Sequence, residues 1–587
     1  MQDRLVGFKT PNRRIGLIAV FMSLIVLAMF CRLVYIQIFQ NKHFLEKANA
    51  QQLRQFTIEA RRGQIYVHDG SGELYPVALN QELYLLAADP KFVKSSSETL
   101  EKLNQYISDN SQKAELQSKL DDKKLRYLVI NKRILAEDAR KIRELKLPGI
   151  ILISRDGRNY PEGEMFAQIT GYVNDDAQGQ YGVEQSSNKA LGGTNGISKA
   201  ITDSLGVPIT SNENTLVKPH NGSDLVLTLD RNVQSIAYQA IETAVKTNKA
   251  VSGSVVVMDP KTGAIKAMAS YPSYDPNNYQ SVPSDEYYKF ANSSVSSVFE
   301  PGSGFKVITM AAGLNENKVS PDTKFNDTGE VEIDDRVIKN ADNHRFGIST
   351  MTDVIQKSLN TGVVYVLKQL GTDPNRISTK GKEVFYDYIK RFGFGEKTNI
   401  DLPGEAKGYV KDAKSYDVDY ANMTFGQGIA VTNIQLINAV AAIANGGTLY
   451  RPYVVDKEIS TSGGIKQTKP SIISSNVISS QNAAKLAEMM EQVVQHGSGW
   501  PTRMKGYRIA GKTGTAQVPR EDGRGYEEDK NIGSFVGFAP VEDPKFVILV
   551  RVNYPRVDGF AEKTAVPTFA EIAKQLFMYY QIAPSGN

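Results

Sequence analysis

Ile15 to Cys31 (IGLIAVFMSLIVLAMFC) is an uncharged, mostly apolar run of 17 residues, and no other feature limits what this 587-residue chain can fold into so sharply. Seventeen residues is the short end for a bilayer-spanning helix. The pattern continues past Arg32 as LVYIQIF, which gives the needed length if Arg32 snorkels to the interface. A cleaved leader would need small residues at a cleavage site, and Phe30-Cys31-Arg32-Leu33 supplies none. A lipid-bearing cysteine would want a small residue before it, where Phe30 is large. The expectation is an uncleaved anchor over 15–38. Arg4, Lys9, Arg13 and Arg14 ahead of it place residues 1–14 in the cytoplasm and the rest of the chain outside.

That anchor also accounts for the charge. The net charge is +5, but Arg4, Lys9, Arg13, Arg14 and Arg32 against Asp3 put all but one of those charges ahead of residue 33. A nucleic-acid footprint therefore has no support. The single cysteine, Cys31, lies in the span, which excludes a disulfide framework and a Cys-based zinc site. The five histidines (His43, His68, His220, His344, His496) are dispersed, so no metal centre and no cofactor are expected.

Residues 39–205 read as an irregular α+β unit, with charged amphipathic helices within 98–146 among Gly-rich turns. From 206 to 587 the pattern changes. SDLVLTLD (223–230) reads as a strand followed by a helix; SGSVVVMD and AIKAMAS read as two strands joined by a turn at Asp259-Pro260-Lys261-Thr262-Gly263. Helical patterns follow at 305–315, 351–370, 432–445 and 482–495. Two more strands (SFVGFAP and KFVILVRVNYP) precede a last helix at 567–581. Strands at both ends with helices between them predict an α/β (α+β) unit, an antiparallel sheet sandwiched by helices.

Three short motifs carry chemistry, each weak alone. Ser-x-x-Lys occurs at Ser303–Lys306 and at Ser186–Lys189; Lys-Thr-Gly occurs at 512–514 and at 261–263; the literal Ser-Asp-Asn is Ser108-Asp109-Asn110. Context separates them. Ser303 follows a Pro-Gly break and opens an apolar helix, where free N–H groups favour a developing negative charge. At i+3, Lys306 is expected to reach the Ser303 hydroxyl. A free lysine near pKa 10.4 already holds its proton, so burial or a second cation, Lys512 being the candidate, must lower it. Lys512-Thr513-Gly514-Thr515 reads as an extended edge that presents the Thr513 and Thr515 hydroxyls together, with Gly514 allowing a ligand backbone to approach. Ser358-Leu359-Asn360, ahead of TGVVYVL, can offer a hydroxyl and an amide to the same cleft.

Ser303-Gly304-Phe305-Lys306, Ser358-Leu359-Asn360 and Lys512-Thr513-Gly514, in that order, resemble the motif set of penicillin-binding proteins and class A β-lactamases. FEPGSGFK, LNTGV, FGQGIAVT, DLPGE, RIAGKTGTAQV and SFVGFAP extend the resemblance to class B penicillin-binding proteins, as do RLVYIQI, ARRGQIY, YPEG, GQYGVE and LGGTNG earlier in the chain. The resemblance implies a D,D-transpeptidase that cross-links peptidoglycan stem peptides and is acylated by β-lactams, with a pedestal (dimerisation-type) domain over 39–205 and a transpeptidase domain over 206–587. It implies Ser303 as nucleophile, Lys306 as base, Lys512 as the tuning cation, Ser358 as proton relay and Asn360 as a clamp on the peptide amide. Thr513, Gly514 and Thr515 would bind substrate, and the backbone N–H groups of Ser303 and Thr515 would form the oxyanion hole.

Two departures stand out: Gly304, where the family usually carries a larger residue, and Val67-His68 ahead of Asp69-Gly70, where it carries Asp-Arg. Leu359 and the anchored first unit argue against a β-lactamase. A glycosyltransferase would need an acidic catalytic motif with aromatic partners near the anchor, and Glu137-Asp138 lacks them. A D,D-carboxypeptidase or a non-enzymatic β-lactam-binding scaffold remains as an alternative. The compact motif surroundings resemble the septal division type more than the elongation type. Either type implies a membrane partner, a glycan polymerase of the SEDS family, among other divisome or elongasome proteins.

Overall fold

The computed structural model describes residues 13–44, 47, 53–107, 113–201, 214–412, 414–520 and 525–585. Arg4 and Lys9, the boundary at 205/206 and Ser108-Asp109-Asn110 lie outside the described residues. Contacts group the chain into two compact units, 1–60 with 193–221, and 61–192 with 222–587.

In the first unit the helix Arg13–Val34 runs on into a π-helical turn, Tyr35–Phe39, with no buried residue along it. The 27 residues Arg13–Phe39 are long and apolar enough to cross a membrane. Arg32 falls in the last α-helical turn, where a long cation can reach the interface. The same unit holds a three-stranded antiparallel sheet of Leu53–Ile58, Gly196–Ile201 and Asn214–Val217, with Gly196–Ile201 in the middle.

The second unit is organised by a five-stranded antiparallel sheet in the order Ile265–Tyr271, Ser252–Met258, Phe546–Asn553, Tyr526–Ala539, Ala510–Pro519. Strands buried on both faces read as continuous apolar runs, and SGSVVVM does so for that reason. Val255 and Val257 enter one core with the helices Arg231–Thr247 and Ala565–Tyr579; Val256 and Met258 enter the other with Lys306–Asn315 and Asn433–Ala444. The helices are started by their own sequences. Asp230 caps the first through the N–H groups of Asn232 and Val233, and Thr432 with Gln435 forms a capping box on Asn433–Ala444. The expected antiparallel sheet between helix layers is what the chain builds.

One expectation is redrawn. Asp224–Asp230 is a strand, but it joins no strand of that sheet. It pairs in parallel with Ile65–His68 and antiparallel with Val455–Ile459, in a seven-stranded sheet that also holds Leu74–Ala88, Leu128–Leu135 and Ile150–Asn159. Pairing partners this distant leave no local trace. The apolar pattern 351–370 is also two helices, Met351–Gln356 and Asn360–Gln369, broken at Ser358.

Candidate active site

Ser303 stands on a 3-10 turn, Gly302–Phe305, that feeds the helix Lys306–Asn315. Three neighbours fix this turn. Gly302 donates its N–H to Gly426 O at 3.1 Å and sits at φ +53°, where a Cβ would stand 2.7 Å from Thr515 O. Phe305 is buried edge-on against Phe394, ring centroids 5.0 Å apart, so Phe394 braces the turn. Gly304 is under no such demand: a Cβ there would meet only Leu436 Cδ2, at 3.8 Å, so a larger residue would fit.

Lys306 and Lys512 are both fully buried. Lys512 Nζ donates to Ser358 Oγ at 3.0 Å, Thr513 Oγ1 at 3.2 Å and Thr513 O at 3.3 Å, which uses the three protons of an ammonium. Lys306 Nζ donates to Ser358 O and, at 3.1 Å, to Ser358 Oγ. Two donations fit a neutral amine and leave its lone pair free. Burial first, and then the Lys512 charge, push the Lys306 amine well below the ordinary lysine range. Burial brings Lys512 down to about 7, with Glu562 pulling it back up. Lys306 therefore loses its proton first. The direct Lys306–Ser303 bond expected from the i, i+3 spacing is not formed among the described residues; the amine is turned to Ser358.

The Ser358 hydroxyl, accepting from both lysines, keeps its own proton to give. The residue sits at φ +59°, the left-handed region, as the C′ residue of a Schellman ending in which Leu359 N–H bonds Val354 O at 3.0 Å. Glycine is the usual occupant there; a side chain costs about 1–2 kcal/mol. A strained, hydroxyl-bearing residue between two buried amines is the arrangement expected where function holds the residue in place. Ser358→Gly and Ser358→Ala both remove the hydroxyl and should both lose acylation. The glycine variant should be about 1 kcal/mol the more stable in urea denaturation, because only alanine carries the left-handed cost.

Ala510–Pro519 is an edge strand, and Gly514 explains how it meets the nucleophile. A Cβ on Gly514 would lie 2.5 Å from Ser534 Oγ and 2.7 Å from Pro301 O. On its Cβ side, then, Gly514 makes room for the nucleophile's own turn. Thr513 Oγ1 also shares a 2.7 Å hydrogen bond with Ser498 Oγ. Thr513, Ser498 and Lys512 thus form one hydrogen-bonded cluster. Thr515 Oγ1 accepts from Ala561 N at 3.4 Å. No sequence motif singles out Ser498, which joins this cluster through Thr513.

Asn360 opens the helix Asn360–Gln369, and its Nδ2 donates to Lys339 O at 2.7 Å, so its amide is already engaged. The competing motifs lie elsewhere. Ser186 Oγ donates to Asp401 O at 2.8 Å, Lys261 pairs with Asp543 at the hairpin turn, and Glu137 pairs with Lys141 on an exposed helix.

The family described as penicillin binding protein transpeptidase domain matches residues 253–574, and penicillin-binding protein dimerisation domain matches 57–227. Stage V sporulation protein D of Bacillus subtilis is 32% identical over 585 residues, covering 98% of this chain and 87% of that one. A peptidoglycan D,D-transpeptidase FtsI of Buchnera aphidicola is 29% identical over 574 residues, covering 97% and 94%. Among solved structures, penicillin binding protein 3 of Mycobacterium tuberculosis, complexed with ampicillin, superposes with a TM-score of 0.69 at 26% identity, over 91% of this chain and 98% of that one.

Proposed function

As the chain belongs to the class B penicillin-binding proteins, serine D,D-transpeptidases of cell-wall synthesis that bind β-lactams, we propose that Ser303 is its nucleophile and that Lys306, Ser358, Asn360 and Lys512 complete the catalytic set. The observation that carries this reading is the pair of buried lysines bridged by the Ser358 hydroxyl.

The donor stem peptide extends along the free edge of Ala510–Pro519, its C-terminal carboxylate received by the Thr513 and Ser498 hydroxyls next to the Lys512 charge, with Thr515 beside it. Ser303 Oγ attacks the penultimate D-alanine carbonyl as its proton passes to the Lys306 lone pair. The carbonyl oxygen takes the negative charge, facing the N–H groups of Ser303 and Thr515, a term of roughly 3–4 kcal/mol per donor. The C–N bond then breaks, and the departing D-alanine amine takes a proton from the Ser358 hydroxyl, which is replenished from Lys306. An acceptor amine attacks the ester carbonyl, its proton passing through Lys306 to Ser303 Oγ as the bond between the acyl carbon and Oγ breaks, and the new amide is the cross-link. A β-lactam follows the first half. Its amine stays tethered after ring opening, so the acyl-enzyme persists.

Resemblance supports the rest of the proposal: a cytoplasmic tail (1–14), a single-pass anchor (15–38), a pedestal (39–205) and a transpeptidase domain (206–587) outside the membrane. It also supports a septal role, in line with the FtsI-type relatives, and a SEDS-family polymerase met through the anchor and pedestal.

Full-length protein in detergent should label with fluorescent penicillin, Ser303→Ala should not, and the mass shift on the Ser303 peptide should equal the intact drug. A wild type that never labels removes the reading. Rapid release of hydrolysed drug would make the chain a β-lactamase, and release of D-alanine without cross-linking to a supplied acceptor would make it a carboxypeptidase.

A further inference from the structure

Arg551 is a buried cation that no carboxylate accompanies among the described residues. It lies on Phe546–Asn553, the middle strand of the five-stranded sheet, and is 3% exposed. Alternation puts it on the face of Val547 and Leu549, which enter the core beneath the nucleophile helix. Burial draws its guanidinium down to about 10, with Tyr554 pulling it back up. Nη1 donates to Ser297 O at 3.4 Å, the guanidinium carbon stands 4.8 Å over the Phe299 ring, and Nε has no partner.

Ser297 to Phe299 is the lead-in to Glu300-Pro301-Gly302-Ser303. On one side this segment is tied by backbone. Phe299 exchanges two 2.9 Å hydrogen bonds with Val431, Glu300 Oε1 accepts from Gly428 N at 2.8 Å, and Gly302 N donates to Gly426 O. On the side facing the sheet, Arg551 meets Ser297 and Phe299. Its register neighbours extend the same support: Ser254 is held by Asn433 Nδ2 at 2.7 Å, and Ser534 Oγ donates to Gly514 O, against which Pro301 packs. An apolar residue would continue the pattern of Val547 and Leu549 without desolvating a charge. A costly cation kept there, under the lead-in to a reacting serine, points to work at the site.

We propose that Arg551 is a positioning residue for Ser303, holding Ser297–Phe299 against the central strand so that the nucleophile turn presents its hydroxyl to the substrate carbonyl. The proposal rests on Ser303 being the nucleophile. Without Arg551, Ser297 and Phe299 lose their hold on the central strand, and a displacement of under 1 Å lowers the rate of attack without altering the carboxylate-binding groups.

Stopped-flow acylation of the full-length protein by fluorescent penicillin separates the acylation rate constant from the affinity of the encounter complex. In Arg551→Met the rate constant should fall at least tenfold, with affinity within twofold of wild type and an equal or higher Tm, since a desolvated charge has been removed. Arg551→Lys keeps the charge and loses the planar stack on Phe299, so its rate should lie between the two. A rate constant within twofold of wild type in Arg551→Met overturns the proposal, as does a loss of affinity and Tm in proportion to rate. Should the methionine variant fail to fold, the lysine variant decides, an unchanged rate counting against the proposal. A wild type that is not acylated at Ser303 defeats the nucleophile reading itself, a result distinct from equal rates in wild type and variant.

Discussion

In Lys306→Met, acylation by penicillin is expected to slow by roughly 10²- to 10⁴-fold, the span that a positioned general base contributes, while Tm is held or raised. The split follows from what the side chain does in each state. For folding, Lys306 is a fully buried amine whose charged form is opposed by burial and by Lys512, so an unbranched apolar side chain of similar length removes a desolvation cost. Against that stands the loss of two donations, to Ser358 O and Oγ, about 1 kcal/mol each. For catalysis the lone pair is irreplaceable, because methionine cannot take the Ser303 proton. The pH profile carries the same signature. Wild-type acylation should fall on acidification, as Lys306 gains its proton, and fall again above about 7, as Lys512 loses the charge that receives the carboxylate. A bound carboxylate beside Lys512 moves that basic limb upward, so the profile with substrate saturating should be wider than that of the free enzyme. In Lys306→Met the acid limb should vanish from the residual rate. Stability carries the same sign as for a carboxylate of depressed pKa, displaced to higher pH: between about 7 and the ordinary lysine range the unfolded chain binds a proton that folded Lys512 does not, so stability rises with pH through that window. A Lys306→Met protein acylated at the wild-type rate would remove Lys306 from the chemistry.

What the sequence exposed and what it hid divide along chain distance. Ser303, Lys306 and Lys512 were legible because a Pro-Gly break, a helix period and an extended run are local patterns. The neutral state of Lys306 was legible only as a requirement, since burial and the neighbouring cation come from segments two hundred residues apart. Ser358 was visible as a motif, but its left-handed backbone is a property of a helix ending, and the apolar period ran straight through it. That Gly514 also makes room for Pro301 was hidden, because a strand pattern shows which face a residue takes and not what packs there. Asn360 is a similar case, its amide held by a hairpin carbonyl twenty-one residues earlier. Arg551 had a local signal that went unused. In FVILVRVN each position is buried, so a charge in that run belongs to a buried face. The central sheet was predicted from strand runs alone, whereas Asp224–Asp230 went to a different sheet because its partners, Ile65–His68 and Val455–Ile459, lie far off on both sides in sequence.

Glu184→Ala should cost about 3–5 kcal/mol of stability, the largest loss expected from a single side chain outside the active site. Glu184 is fully buried and holds two arginines: Arg62 Nε at 2.6 Å on one oxygen and Arg158 Nε at 2.7 Å on the other. Each arginine also braces chain from elsewhere. Arg62 Nη1 donates to Asn188 Oδ1 at 2.9 Å, Arg158 Nη1 donates to Asn80 Oδ1 at 2.9 Å, and Tyr160 OH reaches the same carboxylate at 3.3 Å. Removing the carboxylate leaves two desolvated guanidiniums side by side with nothing between them, which is worse than losing one ion pair. Glu184→Gln keeps an acceptor and its volume but no charge, and should fall between wild type and alanine. The segments joined this way, around Arg62, Asn80, Arg158 and Glu184, all lie outside the five-stranded sheet, so the loss should be structural. In urea the midpoint should drop without a change of slope, and under conditions where the variant is folded its penicillin acylation rate should match wild type. A variant that is stable yet slow to acylate would place Glu184 in the catalytic machinery instead, and one within 1 kcal/mol of wild type would mean that the two arginines find solvent or other acceptors when the carboxylate is gone.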